Sequence, residues 1–246
     1  MKAFAIIFCI ASISSYVNSS AIGNESPQII PMPNGVSGDG ITTRYWDCCA
    51  PSCAYYGYLP AGMHPVQTCQ KDGYTNSTEE NNAQSGCQAG GVAYTCSNQI
   101  PYLKNATLAY GWAAASFTGG LDYSQCCSCF LLSFKGRLTG KKFLVQNVNT
   151  GPYLATNQFD LQIPGGGVGL YNLGCMTQWN TSEDGWGDRI TGVKDEEQCK
   201  ILPEVLQPGC RFRFEYMEGI DNPDVSFEQV KCPAELVAVS GCGSTN

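Results

Sequence analysis

Cysteine is the tightest constraint on this chain. Fifteen cysteines occur in 246 residues, and Cys9 sits in an N-terminal stretch made of Met1-Lys2, an apolar run from Ala3 to Ala11, and small or polar residues up to Ala21. That order reads as a secretory signal over residues 1–20, because the apolar run falls short of the roughly 20 residues that cross a bilayer and no later segment comes closer. Its removal discards Cys9 and leaves an even number of cysteines in an oxidising compartment. The expectation is seven disulfides with no thiol left over, in a secreted, extracellular protein. Zinc is the weaker reading, since His64 is the only histidine and Cys126-Cys127-Ser128-Cys129 has no matching second cluster. No metal and no cofactor are expected. Sequons at Asn24, Asn76, Asn105 and Asn180 fit a glycosylated secreted chain.

The formal charge is −7, which argues against a nucleic-acid partner or an anionic membrane surface and suits a neutral polymer better. Residues 21–40, rich in Pro, Gly, Ser and Asn, read as a flexible leader, and residues 41–246 as one domain large enough for a real core. With 28 glycines the chain has many turns, and cross-links share the work of burial. The span from Cys53 to Cys96 reads as mostly loop, with a short strand at Val92-Ala93-Tyr94. Further short strands are expected at Leu108–Phe117, Phe130–Phe134, Lys142–Val148, Phe159–Ile163, Arg211–Tyr216 and Ser226–Val230, bounded by Gly, Pro or Asn, an all-β rhythm that a closed barrel would satisfy without exposed edges. Helical signals are few: Asp195–Leu202, with acidic residues first and Lys200 late, a turn at Pro203–Leu206, and Ala234–Val239 after Pro233.

Two stretches carry chemistry. Thr42-Thr43-Arg44-Tyr45-Trp46-Asp47-Cys48-Cys49 puts a carboxylate directly before two cysteines, whose oxidation would tie its backbone down in two directions. Tyr45 and Trp46 are rings of the kind that stack on sugars, while Thr43, Arg44 and Tyr45 can bond hydroxyls or hold a carboxylate. The same stretch also reads as a half-buried strand ending in a surface aspartate. The second stretch is a turn-rich loop from Asn149 that runs into Phe159-Asp160-Leu161 and then Gly165-Gly166-Gly167. Asp160 between apolar neighbours is expected to be protonated, and Asp47 beside Arg44 to be ionised; a solvated strand aspartate is the plain alternative for Asp160. Two carboxyls of unlike pKa are what glycosidic hydrolysis uses, one giving a proton to the leaving oxygen and one activating water. The three glycines lack dinucleotide spacing and read as a structural turn. A Ser-His-Asp hydrolase is poorly supplied, with one histidine and no Gly-x-Ser-x-Gly elbow. Of Trp112, Trp179 and Trp186, at most one is expected at a substrate, together with Tyr55.

These residues resemble the signature of the family-45 glycoside hydrolases, inverting endo-β-1,4-glucanases. The likeness runs from Thr42 to Cys53 and on through Ser85-Gly86-Cys87, Gly90 to Tyr94, Cys126 to Cys129, Phe159 to Gly169, Pro208-Gly209-Cys210 and Gln229 to Leu236. It implies a six-stranded double-psi β-barrel with long disulfide-tied loops, a few short helices and an open groove for a glucan chain. By residue matching, Asp47 falls on the general base and Asp160 on the general acid; Thr43, Tyr45 and Tyr55 fall on groove positions. It also implies the cysteine pairs 48 with 175, 49 with 87, 53 with 126, 69 with 96, 127 with 242, 129 with 232, and 199 with 210. Two positions depart from the family pattern. Tyr153 stands where an assisting aspartate is usual and is expected to meet substrate instead, and Gln158 stands where a histidine is usual. The readings left open are a monomeric secreted enzyme acting on plant cell-wall β-1,4-glucan such as cellulose or xyloglucan, a catalytically impaired glucan-binding relative, and a non-hydrolytic expansin-like protein.

Overall fold

In the computed structural model the described residues are 27–77 and 83–244, so the signal segment and residues 21–26 of the expected leader lie outside them. The strands in chain order are β1 (Ser37–Tyr45), β2 (Met63–His64), β3 (Thr68–Cys69), β4 (Tyr94–Thr95), β5 (Tyr102–Asn105), β6 (Leu108–Ser116), β7 (Cys129–Phe134), β8 (Lys142–Asn149), β9 (Gln158–Gln162), β10 (Val225–Val230) and β11 (Gly243–Ser244). Six of them close on themselves in the order β6-β8-β7-β10-β1-β9 and back to β6, with β5 appended to β6. Closure leaves no ring strand with an open edge. The pairs β1–β9 and β6–β8 are parallel and the rest of the ring is antiparallel.

Side-chain alternation sorts the residues between two environments. Phe130 and Leu132 on β7, Phe143 and Val145 on β8, Phe159 and Leu161 on β9, and Val225 and Phe227 on β10 share one core cluster. Phe130, Phe159 and Phe227 meet there at ring separations of 5.1 to 6.2 Å, joined by Phe117. Leu131 and Leu144 point the other way, into a second cluster built on Trp112 and four disulfide cysteines from the loops. Strand β6 is buried along its whole length because both its faces are covered, which is why Leu108 to Ser116 reads as a nearly unbroken apolar run. All seven disulfides are the pairs implied by the family resemblance.

Several expectations need correcting. Ser37 to Gly40 pair with β10, and Pro31 bridges to Val230, so the barrel takes up the chain well inside the stretch read as a flexible leader. Arg211–Tyr216 is not a strand but most of α2, which spans Gln207–Glu215 after α1 at Leu173–Trp179. The alternation Phe212, Phe214, Tyr216 mimics a strand, yet Phe212 and Tyr216 also sit four apart. They stack at 5.2 Å, with Phe212 5.1 Å from Phe143, and Pro208 is tolerated in the first turn. The helix expected at Asp195–Leu202 is a 3-10 helix, Glu196–Ile201, whose N-cap Asp195 accepts the Gln198 N–H. The final helix, α3, runs from Ala234 to Ser240 after Pro233. No helix among the described residues is long and apolar enough to cross a membrane.

Candidate active site

Asp160 lies midway along β9, opposite Thr43 on β1 and Ala114 on β6. Its neighbours Phe159 and Leu161 point into the core, so alternation turns the carboxyl outward into a cleft of about 880 Å³. Ala114 also lines this cleft; its small side chain leaves the flank of Asp160 open. Sequence reasoning passed over Ala114, which is hidden in the apolar run of β6.

Asp47 reaches the same cleft from just beyond β1. Three features aim it. Trp46 N–H donates to the Gly167 carbonyl at 2.8 Å, so the glycine turn is the structural seat expected of it, with φ of 75° at Gly165 and 105° at Gly167. Cys48 adopts a left-handed conformation, φ 62°, held by its disulfide to Cys175 in α1. Gly174 in α1 permits that helix to press on the strand end, since a Cβ there would lie 2.6 Å from the Asp47 carbonyl oxygen. Helix α1 was missed from sequence, although Asn180, its left-handed C-cap, was an available stop signal.

The electrostatics raise both acids, where Asp47 was expected to be held ionised. Burial, aided by the charge of Asp160, pushes Asp47 up to about 7 against the pull of the Cys49 N–H, which donates to Asp47 Oδ1 at 2.9 Å. Burial raises Asp160 to about 6, opposed by the Thr43 hydroxyl and the Arg44 charge. Arg44 therefore does not hold Asp47 ionised. Its guanidinium donates to the Thr191 carbonyl and pairs with Asp221 at 3.1 Å, which places its field on the Asp160 side.

The remaining candidates divide. Tyr45 lines the cleft, donates to Gln162 Oε1 and accepts from Asn149 Nδ2, each at 3.2 Å; burial, with Asp47 next, raises its pKa well above the ordinary value. Tyr55 lines the cleft with Tyr58 and Tyr123. Tyr153 is 78% exposed on the cleft wall. Thr43 is different, because its hydroxyl is committed to Asp160 at 2.6 Å and the residue is not part of the wall. Trp46 is no sugar platform: it is 3% exposed and belongs to the core. Trp112, Trp179 and Trp186 do not line the cleft either.

A pair of carboxyls projecting from a closed barrel into one cleft with aromatic walls is an arrangement that glycosidic hydrolysis can use. Comparison with known proteins makes this specific. The pattern of glycosyl hydrolase family 45 matches residues 39–243, and the chain belongs to that family. It is 50% identical over 240 residues to an endoglucanase of Phaedon cochleariae, covering 96% of this chain and 98% of the relative. An endoglucanase of Cryptopygus antarcticus is 44% identical over 219 residues, 88% of this chain and 95% of the other. The crystal structure of the cellulase from that Antarctic springtail superposes with a TM-score of 0.78 at 44% identity, covering 85% of this chain and 99% of that one.

Proposed function

We propose that this protein is a secreted, monomeric endo-β-1,4-glucanase that cleaves plant cell-wall glucan with inversion, Asp160 as general acid and Asp47 as general base. The observation that carries the reading is that both carboxyls line one cleft and that each is pushed toward neutrality there. A cleft rather than an enclosed tunnel suits attack within a chain. Asp160 would protonate the departing glycosidic oxygen while Asp47 takes a proton from a water attacking the opposite face of the sugar, and the two carboxyls return to their starting state by exchanging protons with solvent. Arg44, paired with Asp221 and bonded into the barrel wall, keeps a fixed positive charge behind the acid. The test is release of reducing ends from soluble cellulose, mixed-linkage glucan and xyloglucan, with the anomer formed first read by NMR. An α-anomer from at least one of them is expected; no release from any would leave only glucan binding.

Cleavage needs one proton on the pair. With acids near 6 and 7, kcat/KM is expected to be bell-shaped, falling below about pH 6 as both carboxyls are protonated and above about pH 7 as both ionise. A profile flat from pH 5 to 8 would contradict this pairing.

Tyr153 shapes preference on this reading. Its exposed ring can stack on a sugar, and Pro152 stiffens the turn in which Leu154 N–H donates to the Gly151 carbonyl at 3.3 Å. Weaker hydrolysis of unbranched cellulose than of another β-1,4-glucan is expected, and Tyr153→Asp with Pro152→Gly is expected to raise the cellulose rate. Ordinary cellulose cleavage by the wild type, with no gain in the variant, would make the position neutral.

A further inference from the structure

Behind Asp160 runs a chain of three hydrogen bonds whose polarity is fixed from one end. The Ala155 backbone N–H donates to Gln158 Oε1 at 2.7 Å, Gln158 Nε2 donates to Thr43 Oγ1 at 2.9 Å, and the Thr43 hydroxyl reaches Asp160 Oδ1 at 2.6 Å. A backbone N–H can only donate, so the oxygen of the Gln158 amide must face Ala155 and its NH₂ must face Thr43. Reversing the amide would set a donor against a donor. Thr43 therefore receives a hydrogen bond, and its single proton is free to point at Asp160. Gln158 is itself only 9% exposed, held between the loop that carries Tyr153 and the strand that carries the acid.

We propose that Gln158 is a positioning residue for the acid: anchored by the Ala155 N–H, its amide sets the Thr43 hydroxyl to donate to Asp160 Oδ1, so that the proton delivered to the leaving oxygen is carried on Oδ2. An oxygen that already accepts a short hydrogen bond is the poorer place for that proton, and the other oxygen is left to face the substrate. A glutamine at this position performs the task with no titration of its own. The inference rests on Asp160 being the acid, as proposed above.

The groups around Asp160 make the consequence measurable. Arg44 on β1 and Asp47 beyond its end are the charges acting on it, with Arg213 and Asp221 behind Arg44; the Tyr45 phenol shares the cleft and feels its charge, while β6 offers the uncharged Ala114. Neither Gln158→Met nor Thr43→Val alters any charge. Thr43→Val deletes the hydroxyl and Gln158→Met deletes the donor that orients it, so each weakens the hydrogen bond to ionised Asp160 and is expected to move the pH optimum of kcat/KM upward, by roughly one unit, with KM within about twofold of wild type. The double variant is expected to shift no further than either single one, because both act through one hydroxyl. Thr43→Ser, which keeps the hydroxyl, is expected to retain the wild-type profile.

An unchanged optimum in Gln158→Met, or shifts that add in the double variant, would overturn the proposal. If Gln158→Met does not fold, the Thr43→Ser and Thr43→Val pair decides: identical profiles for the two would sink it equally. Asp160→Asn is assayed alongside. Retained activity there would remove the acid assignment itself, whereas an inactive Asp160→Asn with unmoved optima in the other variants would remove only the role of Gln158.

Discussion

Asp160→Asn is expected to lose roughly 10²- to 10⁴-fold in glucan hydrolysis, the amount a positioned proton donor supplies, and Asp47→Asn a comparable amount. Loss of activity alone does not separate chemistry from misfolding, but the burial of Asp47 supplies a second observable of opposite sign. Its folded pKa, about 7, lies above the ordinary 3.8, so the folded protein binds that proton more tightly than the unfolded chain does. The stability associated with this proton is complete below about pH 4 and is lost as pH rises through about 7. Asparagine can still accept the Cys49 N–H and has no charge to bury. Asp47→Asn should therefore match wild type in stability near pH 4 and exceed it above pH 8 by on the order of 4 kcal/mol. Urea denaturation at the two pH values measures this, and a variant that is inactive but no more stable at high pH would mean that Asp47 is better solvated than its place in the cleft implies.

Where the sequence was legible, a local rule and the global fold agreed. The barrel strands from Leu108 onward were readable because short, largely apolar runs with Gly, Pro or Asn boundaries coincide with the ring, and the cysteine pairing followed from the family signature. The failures have separate physical causes. Phe212, Phe214 and Tyr216 satisfy a two-residue and, in part, a four-residue spacing, and only the tertiary contact of Phe212 with Phe143 favours the helix. The leader was read from composition alone, which does not register that Ser37 to Gly40 can pair with β10 through backbone groups. Arg44 was placed beside Asp47 by proximity along the chain. Alternation on β1 instead turns Thr43 toward Asp160 and Arg44 toward Asp221. The roles of Gln158 and Ala114 depend on which strands become neighbours, and no local pattern specifies that.

The cross-links nearest Asp47 should matter more than the others, for activity as well as for stability. Cys48–Cys175 and Cys49–Cys87 close separations of 127 and 38 residues, whereas Cys199–Cys210 closes 11. Chain-entropy reasoning gives about 5 kcal/mol for the longest of these loops and about 3 kcal/mol for the shortest, against a whole-domain margin of roughly 5 to 15 kcal/mol. Energy is only part of the difference. The left-handed backbone of Cys48 is an uncommon state for a residue with a side chain, and the bond to α1 holds it in place beside the Gly174 contact. Without that bond the Asp47 carboxyl loses the backbone that aims it, even if the barrel stays closed. Replacing both Cys48 and Cys175 by alanine is therefore expected to destabilise the protein by several kcal/mol and to cut kcat at least tenfold at temperatures where the variant is still folded. The matching Cys199 and Cys210 double variant is expected to lose less stability and to keep kcat within about threefold. Denaturant midpoints and steady-state rates on soluble cellulose test both statements, and equal losses of kcat in the two variants would show that these disulfides support the barrel in general rather than the placement of Asp47.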